Sequence, residues 1–481
     1  MSIPLSQVIH RDVSPDPHIT GVTADSRKVR PGYLFAALPG SRADGRSFIP
    51  TALQAGASAI LAPDDVAGLQ APVVHASDLR RAYALAAKAL HPAQPEVVVA
   101  VTGTNGKTSV AAFARQIFER LGRRAASMGT LGVVAAGEQL TPPGLTTPDA
   151  ADVSAMMAEL CRRHVTHLAL EASSHGVDQR RLDGVELTAA AFTNFSQDHL
   201  DYHGTMGCYR AAKLRLFESL LPRGRTAVLN ADSDAFAAFA ATAVVSGQTI
   251  FSVGEHGQGL RLLERQLAPD GQRLHIRAAS GEDFHVRLPL AGAFQASNAL
   301  VAAGLCIAAG EEVGPVLEAL EHLEGAPGRL QHVGSGPNGG EAYVDYAHTP
   351  DGLTTVLEAM RPHARGRLIV VFGAGGDRDP GKRRLMGEAA ARLADVAIVT
   401  DDNPRSEDPA AIRAEVLAGA LGAMETGNRR EAIFEACRML GEGDVLLIAG
   451  KGHEQGQTVG DTVHPFDDVA VARDALEAAR G

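Results

Sequence analysis

The stretch best equipped for chemistry is Thr102-Gly-Thr-Asn-Gly-Lys-Thr108. An apolar run, Val97–Val101, precedes it, and Val110, Phe113, Ile117 and Leu121 follow at helical spacing. That order predicts a buried strand, a Gly-rich loop and a helix. Such a loop turns backbone N–H groups toward a phosphate, and the helix N-terminus adds partial positive charge. The candidate nucleotide contacts are Gly103, Thr104, Asn105, Gly106, Lys107, Thr108 and Ser109. Lys107 would reach the outer phosphates, and the Thr108 hydroxyl would ligate Mg²⁺. The common pattern has a glycine five positions before Gly106; here Val101 stands there. The plainer alternative, a turn with a solvated lysine, does not account for the strand and helix on either side.

Further candidates lie at strand ends. Leu168–His175 reads as a strand running into polar residues, and places Glu171 where nucleotide enzymes hold a metal ligand. Thr193–Gly204 packs His199, His203, Asp198 and Asp201 into a short span. A polar helix start capped by Ser196 or Asp198 is the structural alternative, and the lack of cysteine disfavours zinc. Tyr209–Phe217 reads as a helix with Leu216 and Phe217 on its core side, and Lys213 by itself reads as a solvated lysine. Gly373-Ala-Gly375 suggests a dinucleotide fingerprint, but Arg378 occupies its third glycine position.

These residues need several domains to position them. A chain of 481 residues exceeds one core. With 45% hydrophobic and 21% charged residues it is ordinary globular material, and a net charge of -11 argues against general nucleic-acid binding. Four scattered cysteines suggest reduced, buried thiols, and no apolar run is long enough to span a bilayer. A cytoplasmic monomer without membrane insertion is expected. The expected class is α/β with three domains: 1–93, a small N-terminal domain; 94–325, a central P-loop-type ATPase domain with a mostly parallel sheet; and 326–481, a Rossmann-like doubly wound domain. Strands are expected at Tyr33–Leu38, Ala59–Ala62, Ala189–Phe192, Glu341–Asp345, Leu368–Phe372, Val396–Thr400 and Val445–Ala449. Helices are expected at Phe48–Ala55, Leu79–Leu90, Ala150–His164 and Phe294–Ala309. The polar loops Thr23–Arg27 and Pro39–Gly45 of the first domain could hold a polar ligand or be surface turns.

Thr102–Thr108, Asp198-His-Leu-Asp-Tyr-His-Gly204, Lys213, Pro327-Gly-Arg-Leu330 and Asp345-Tyr-Ala-His348 together resemble the Mur ligases. Asp402-Asn-Pro-Arg405 and Gly450-Lys-Gly-His-Glu454 narrow the resemblance to the branch that adds the third residue of the peptidoglycan stem peptide. The resemblance spans all three regions. It implies ATP-dependent amide ligation on UDP-N-acetylmuramoyl-L-alanyl-D-glutamate, through an acyl phosphate. It implies Mg²⁺ held by Thr108 and Glu171, and a second ion associated with His199 and with Lys213, the latter carbamylated by CO₂. Lys107, Glu171, His199 and Lys213 are thus the implied catalytic set. Asn298, Arg329 and Asp345 match adenine, phosphate and ribose contacts, bridging the central and last domains.

Ala24 and Ser26 match uridine contacts, and Ser41, Arg42 and Ala43 match a diphosphate–uracil loop. Thr146, Thr147, Ser173, Gln179 and Arg181 match contacts to the peptide end. Leu145 stands where the family often has asparagine. Arg378, Asp402, Asn403, Pro404, Arg405, Gly450 and Glu454 match amino-acid contacts, and Arg405 accompanies meso-2,6-diaminopimelate rather than lysine. The bland alternative for Arg405 is an ion pair with Glu407. A lysine-adding enzyme, the D-alanyl-D-alanine-adding ligase, folylpolyglutamate synthetase, a catalytically inert precursor sensor and a nucleotide switch without ligase activity are the competing functions.

Overall fold

The computed structural model describes residues 2–40, 44–268 and 271–480. Ser41, Arg42 and Ala43 lie outside the described residues. The chain is α/β, and it packs as two compact units. The first comprises Met1–Leu262, Arg277–Glu282 and Leu300–Ala319. The second comprises Leu263–Ile276, Asp283–Ala299 and Leu320–Gly481.

Two sheets organise the first unit. The smaller is parallel, in the order Gly21–Thr23, Tyr33–Ala36, Ala59–Ala62, Val73–His75. Its core includes Leu34, Ala36 and Leu61, packed with Tyr83 and Ala87 of the Leu79–Leu90 helix. The larger has a parallel centre in the order Ala125–Gly129, His167–Glu171, Val97–Thr102, Ala189–Phe192, Thr226–Asn230, Thr249–Gly254. A strand covered on both faces needs no polar alternation. Val98 to Thr102 accordingly form an uninterrupted buried run. The register sets Glu171 beside Val101 and Phe192 beside Thr102. The ends of three neighbouring strands therefore open at one edge.

In the second unit the sheet order is Gln331–Ser335, Glu341–Asp345, Val445–Ala449, Leu368–Phe372, Val396–Val399, Met424–Glu425. The first pair is antiparallel and the rest are parallel. Leu368, Val370 and Phe372 face one apolar layer with the Pro350–Met360 and Gly381–Leu393 helices. Ile369 and Val371 face the other, with the Arg429–Met439 and Asp468–Ala478 helices. This period-two division is what a doubly wound sheet requires.

Local differences from the sequence expectation have simple causes. The strand before Ser173 stops at Glu171, because Ser173 caps a short helix, Ser174–Asp178, by accepting from Gly176 N. The expected Phe48–Ala55 helix is a 3₁₀ turn, Gly45–Phe48, followed by Ile49–Gln54. Residues 263–276 and 283–299 pack with the second unit. Gln272 Nε2 donates to Leu290 O and Gly292 O at 2.7 and 3.0 Å, and Ala291 and Phe294 join the apolar layer around Leu353.

Candidate functional site

The loop after Val97–Thr102 is fixed by the next strand's loop. Thr193 Oγ1 donates to Asn105 O at 2.6 Å, and Asn105 N donates to Asn194 Oδ1 at 2.9 Å. Gly103 has a φ of 152°, and a Cβ there would lie 1.9 Å from Thr193 Oγ1. Only glycine permits this approach. The Lys107–Arg120 helix then begins at Gly106, with Thr108 and Ser109 buried in its first turn.

Two lysines converge on this loop. Lys107 Nζ donates to Gly103 O and Thr104 O, both at 2.8 Å, so its side chain curls over the loop. Lys213 Nζ donates to the same Gly103 O at 2.7 Å. Lys213 is 1% exposed, so the solvated lysine of the sequence reading is corrected. Its helix is Met206–Arg215, continued by a π-helical turn, Leu216–Leu220. Burial, then the Lys107 charge, holds the Lys213 ammonium well below its ordinary range. The Tyr209 ring lies 4.5 Å beneath the Lys213 nitrogen, and Tyr209 donates to Thr104 Oγ1 at 3.2 Å.

Glu171 meets Thr108 from the neighbouring strand end. Thr108 Oγ1 donates to Glu171 Oε2 at 3.0 Å. Thr130 N donates to Oε1 at 2.8 Å, and Thr130 Oγ1 to Oε2 at 3.3 Å. A hydroxyl and a carboxylate at the end of a phosphate loop supply the hard oxygen donors that Mg²⁺ prefers, so the residues fit that ion. Among the described residues, no group of three His, Cys, Asp or Glu is arranged to hold a metal ion by itself.

His199 precedes the Leu200–His203 helix with φ 51° and no side-chain cap. Ser196 and Asp198 are therefore not its caps; Asp198 Oδ1 accepts from His199 N at 2.8 Å. The His199 ring lies 4.8 Å from that of His175 and 6.0 Å from that of Tyr209. Burial lowers the pKa of His199 and holds His175 at about 4.

The expected peptide contacts form a second cluster. Thr147 Oγ1 donates to Glu171 O at 2.8 Å and accepts from Ser173 N at 3.0 Å. Arg181 donates to Thr147 O at 2.6 Å and Gln179 Oε1 at 2.7 Å. Thr146 Oγ1 lies 3.0 Å from Thr130 Oγ1. Nearby is a cavity of 1420 Å³ lined by Ala24, Arg27, Tyr83, Gly129, Leu145 and Asp149, among others. Ser26 stands in the adjoining 3₁₀ turn, Ser26–Lys28. Tyr83 donates to Asp149, closing one side.

Asp345 accepts from Leu330 N and Ala347 N at 2.7 and 2.8 Å, while burial pushes its pKa up. Arg329 stacks 4.7 Å over the Tyr346 ring. Its carbonyl accepts from Gln295, which in turn accepts from Asn298 Nδ2 at 3.1 Å. At the same edge of the sheet, Asn403 Nδ2 donates to Glu454 Oε2 at 2.9 Å, and Lys451 Nζ donates to Asn403 Oδ1 at 2.9 Å. Gly450 has φ 120°, and a Cβ there would sit 2.6 Å from Asp402 Oδ2. Arg405, at φ 51°, is gripped through its backbone by Thr458 O and Gly460 N, and its Nη1 donates to Gly376 O at 2.6 Å. Glu407 pairs with Arg383 at 2.8 Å, so the Arg405–Glu407 alternative does not form. Arg378 follows the Leu368–Phe372 strand end, and Pro404 is buried beside Arg405. Beneath this loop a fully buried pair, Arg429–Asp468, closes at 2.7 Å, and Arg429 also donates to Ala449 O at 2.9 Å.

The sequence reading assigned no role to Thr130, Tyr209 or Lys451. Tyr209 stands four residues before Lys213, the spacing that puts both on one helix face. Lys451 lies within Gly450-Lys-Gly-His-Glu454. Thr130 had no local signal.

Three family models match in succession. They are "Mur ligase family, catalytic domain" over 18–103, "Mur ligase middle domain" over 101–306, and "Mur ligase, glutamate ligase domain" over 328–452. A Caulobacter vibrioides UDP-N-acetylmuramoyl-L-alanyl-D-glutamate--2,6-diaminopimelate ligase is 67% identical, covering 98% of each chain. The protein of that name from Bradyrhizobium diazoefficiens is 52% identical, covering 98% of this chain and 99% of its own. A solved structure of a ligase with this name is 33% identical, with TM-score 0.74 and 99% of each chain covered. An Acinetobacter baumannii UDP-N-acetylmuramoylalanyl-D-glutamyl-2,6-diaminopimelate--D-alanyl-D-alanyl ligase at 21% identity and TM-score 0.63, covering 100% of this chain and 98% of that one, shares the fold. Motifs, three-part α/β architecture and full-length relatives agree, and the chain belongs to the Mur ligase family.

Proposed function

We propose that this chain joins meso-2,6-diaminopimelate to UDP-N-acetylmuramoyl-L-alanyl-D-glutamate at the expense of ATP, in the cytoplasm. The observation that carries the reading is the meeting of Lys107 and Lys213 on Gly103 O, with the Thr108–Glu171 pair at the same loop. A carboxylate attacking a phosphate brings anion to anion, and catalysis there rests on positioned positive charge. The acceptor's glutamate carboxylate attacks the γ-phosphate and expels ADP. The amine of the incoming amino acid attacks the acyl phosphate, and the tetrahedral intermediate expels phosphate.

Lys107 leaves the loop carbonyls to meet the outer phosphates. Mg²⁺ held by Thr108 and Glu171, with a second ion near His199 and Lys213, would neutralise phosphate charge. Burial favours the neutral amine of Lys213, which can attack CO₂: a C–N bond forms, a proton leaves, and a carbamate results. Asn298, Arg329 and Asp345 are the proposed adenine, phosphate and ribose contacts. The cavity by Ala24 suits the UDP-sugar, and Ser26, Ser41, Arg42 and Ala43 are proposed as UDP contacts from the sequence motifs alone. Thr146, Thr147, Ser173, Gln179 and Arg181 are proposed for the peptide end. The functional regions proposed are 1–93 for the UDP-sugar, 94–325 for ATP and 326–481 for the amino acid.

Arg405 presents a planar fork that suits the distal carboxylate of diaminopimelate, and Glu454 suits its distal ammonium. Lysine brings only an ammonium to Arg405. Sites built for a polar group reject analogues lacking it by roughly 10⁴-fold. Phosphate release by the purified protein, with each amino acid in turn, tests the reading. Comparable kcat/KM for lysine and meso-diaminopimelate would refute it.

A further inference from the structure

We infer that Thr130 is a positioning residue that couples the acceptor-peptide pocket to the metal carboxylate through a reversible chain of hydroxyls. The inference rests on the proposed roles of Glu171 and Thr146. Thr130 Oγ1 lies 3.3 Å from Glu171 Oε2 and 3.0 Å from Thr146 Oγ1. Each hydroxyl carries one proton. An ionised Glu171 only accepts, so Thr130 spends its proton on Oε2. Thr146 must then spend its own on Thr130.

An anionic peptide carboxylate at Thr146 also demands a donor. Once Thr146 turns its proton to that ligand, its oxygen faces the Thr130 oxygen with no proton between them. The contact is restored when Thr130 turns its proton to Thr146, and this takes one of two donors from Glu171 Oε2, leaving the Thr108 hydroxyl on it at 3.0 Å. Thr130 N keeps Oε1 at 2.8 Å throughout, so the carboxylate stays aimed while one acceptor position on Oε2, beside the Thr108 hydroxyl, opens to the metal. Thr147 holds the Glu171 carbonyl from the adjacent position, at 2.8 Å, so the strand end does not drift as the hydroxyls turn. Acceptor binding thereby raises the affinity for Mg²⁺ at Glu171, and by linkage Mg²⁺ raises acceptor affinity equally.

The test is calorimetric binding of a non-hydrolysable ATP analogue across a Mg²⁺ series, with and without UDP-N-acetylmuramoyl-L-alanyl-D-glutamate. In the wild type the acceptor should lower the half-saturating Mg²⁺ by at least about fivefold. Thr130→Val keeps the shape and the N–H but lacks the hydroxyl, and its shift should fall below about twofold. Thr130→Ser should behave as wild type. Thr130→Ala, which cannot overpack, should repeat the valine result. A wild-type shift retained in the valine and alanine variants, or lost in the serine variant, overturns the inference alone. If Glu171→Gln leaves the Mg²⁺ requirement unchanged, the metal reading beneath it falls as well.

Discussion

Replacing Gly129 by alanine should detach the Glu171 carboxylate from its donors while leaving the sheet intact. Gly129 ends the Ala125–Gly129 strand, next to His167–Glu171. An added Cβ would lie 2.0 Å from Glu171 Oε1 and 2.5 Å from its Cδ and Cγ. The Oε1 distance is about 1.4 Å short of the 3.4 Å of ordinary contact. The residue's φ lies outside the left-handed region, so the effect is steric and not conformational. The side chain must swing away from Thr130 N and Thr108 Oγ1. A displacement near 1 Å at a reacting centre costs about 10²-fold in rate, and a lost hydrogen bond to a charged group costs about 1.5–3 kcal/mol of stability. A coupled assay of ADP release across a Mg²⁺ series should therefore show kcat down at least about 100-fold. Denaturant unfolding should show a protein that is weakened but still cooperative. A kcat within about threefold of wild type, at ordinary Mg²⁺, would refute the placement of Glu171 as the metal carboxylate.

Lys213→Ala should abolish ligation while nucleotide binding persists, and a short carboxylic acid should restore part of the activity; full activity in the variant would exclude the carbamate. Arg405→Ala should raise the KM for meso-diaminopimelate by at least about 10²-fold, since a charge-assisted fork is removed; an unchanged KM counts against the distal-carboxylate contact. Asp468→Asn leaves the Arg429 charge buried without its partner and should cost about 3–5 kcal/mol in denaturant unfolding. His453 is held at about 4, first by burial and then by Arg329. Its folded pKa lies below the unfolded value of 6.5, so the unfolded state takes up the proton first and stability falls as pH drops from 6.5 toward 4. His453→Gln should flatten that slope in pH-dependent melting; an identical slope would contradict the shift.

Much of the site was legible because it is local. The strand, loop and helix around Lys107 are written in consecutive residues, and the ligand-edge loops follow apolar runs that have nowhere else to go than a buried sheet. Lys213 was not legible on its own chemistry. Its neighbours Ala212 and Leu214 do not announce burial, and the carbonyl it meets belongs to Gly103, 110 residues away. Thr130 hides for the same reason, since its partner Glu171 is 41 residues on. Nor does any local pattern tell that residues 283–299 pack with the second unit. That follows from Ala291 and Phe294 joining the apolar layer around Leu353.

The buried Arg429–Asp468 pair bears on how the loop after Val445–Ala449 can change. Arg429 holds Ala449 O, the last carbonyl before the Gly450 loop, from a fully buried position. The loop's backbone path is thus fixed from below, independently of the side chains it displays above. Glu454 follows on that loop, so an exchange there meets a strand end already held at Ala449. Change in the side chains of this loop is thereby separated from the position of the strand end that carries it.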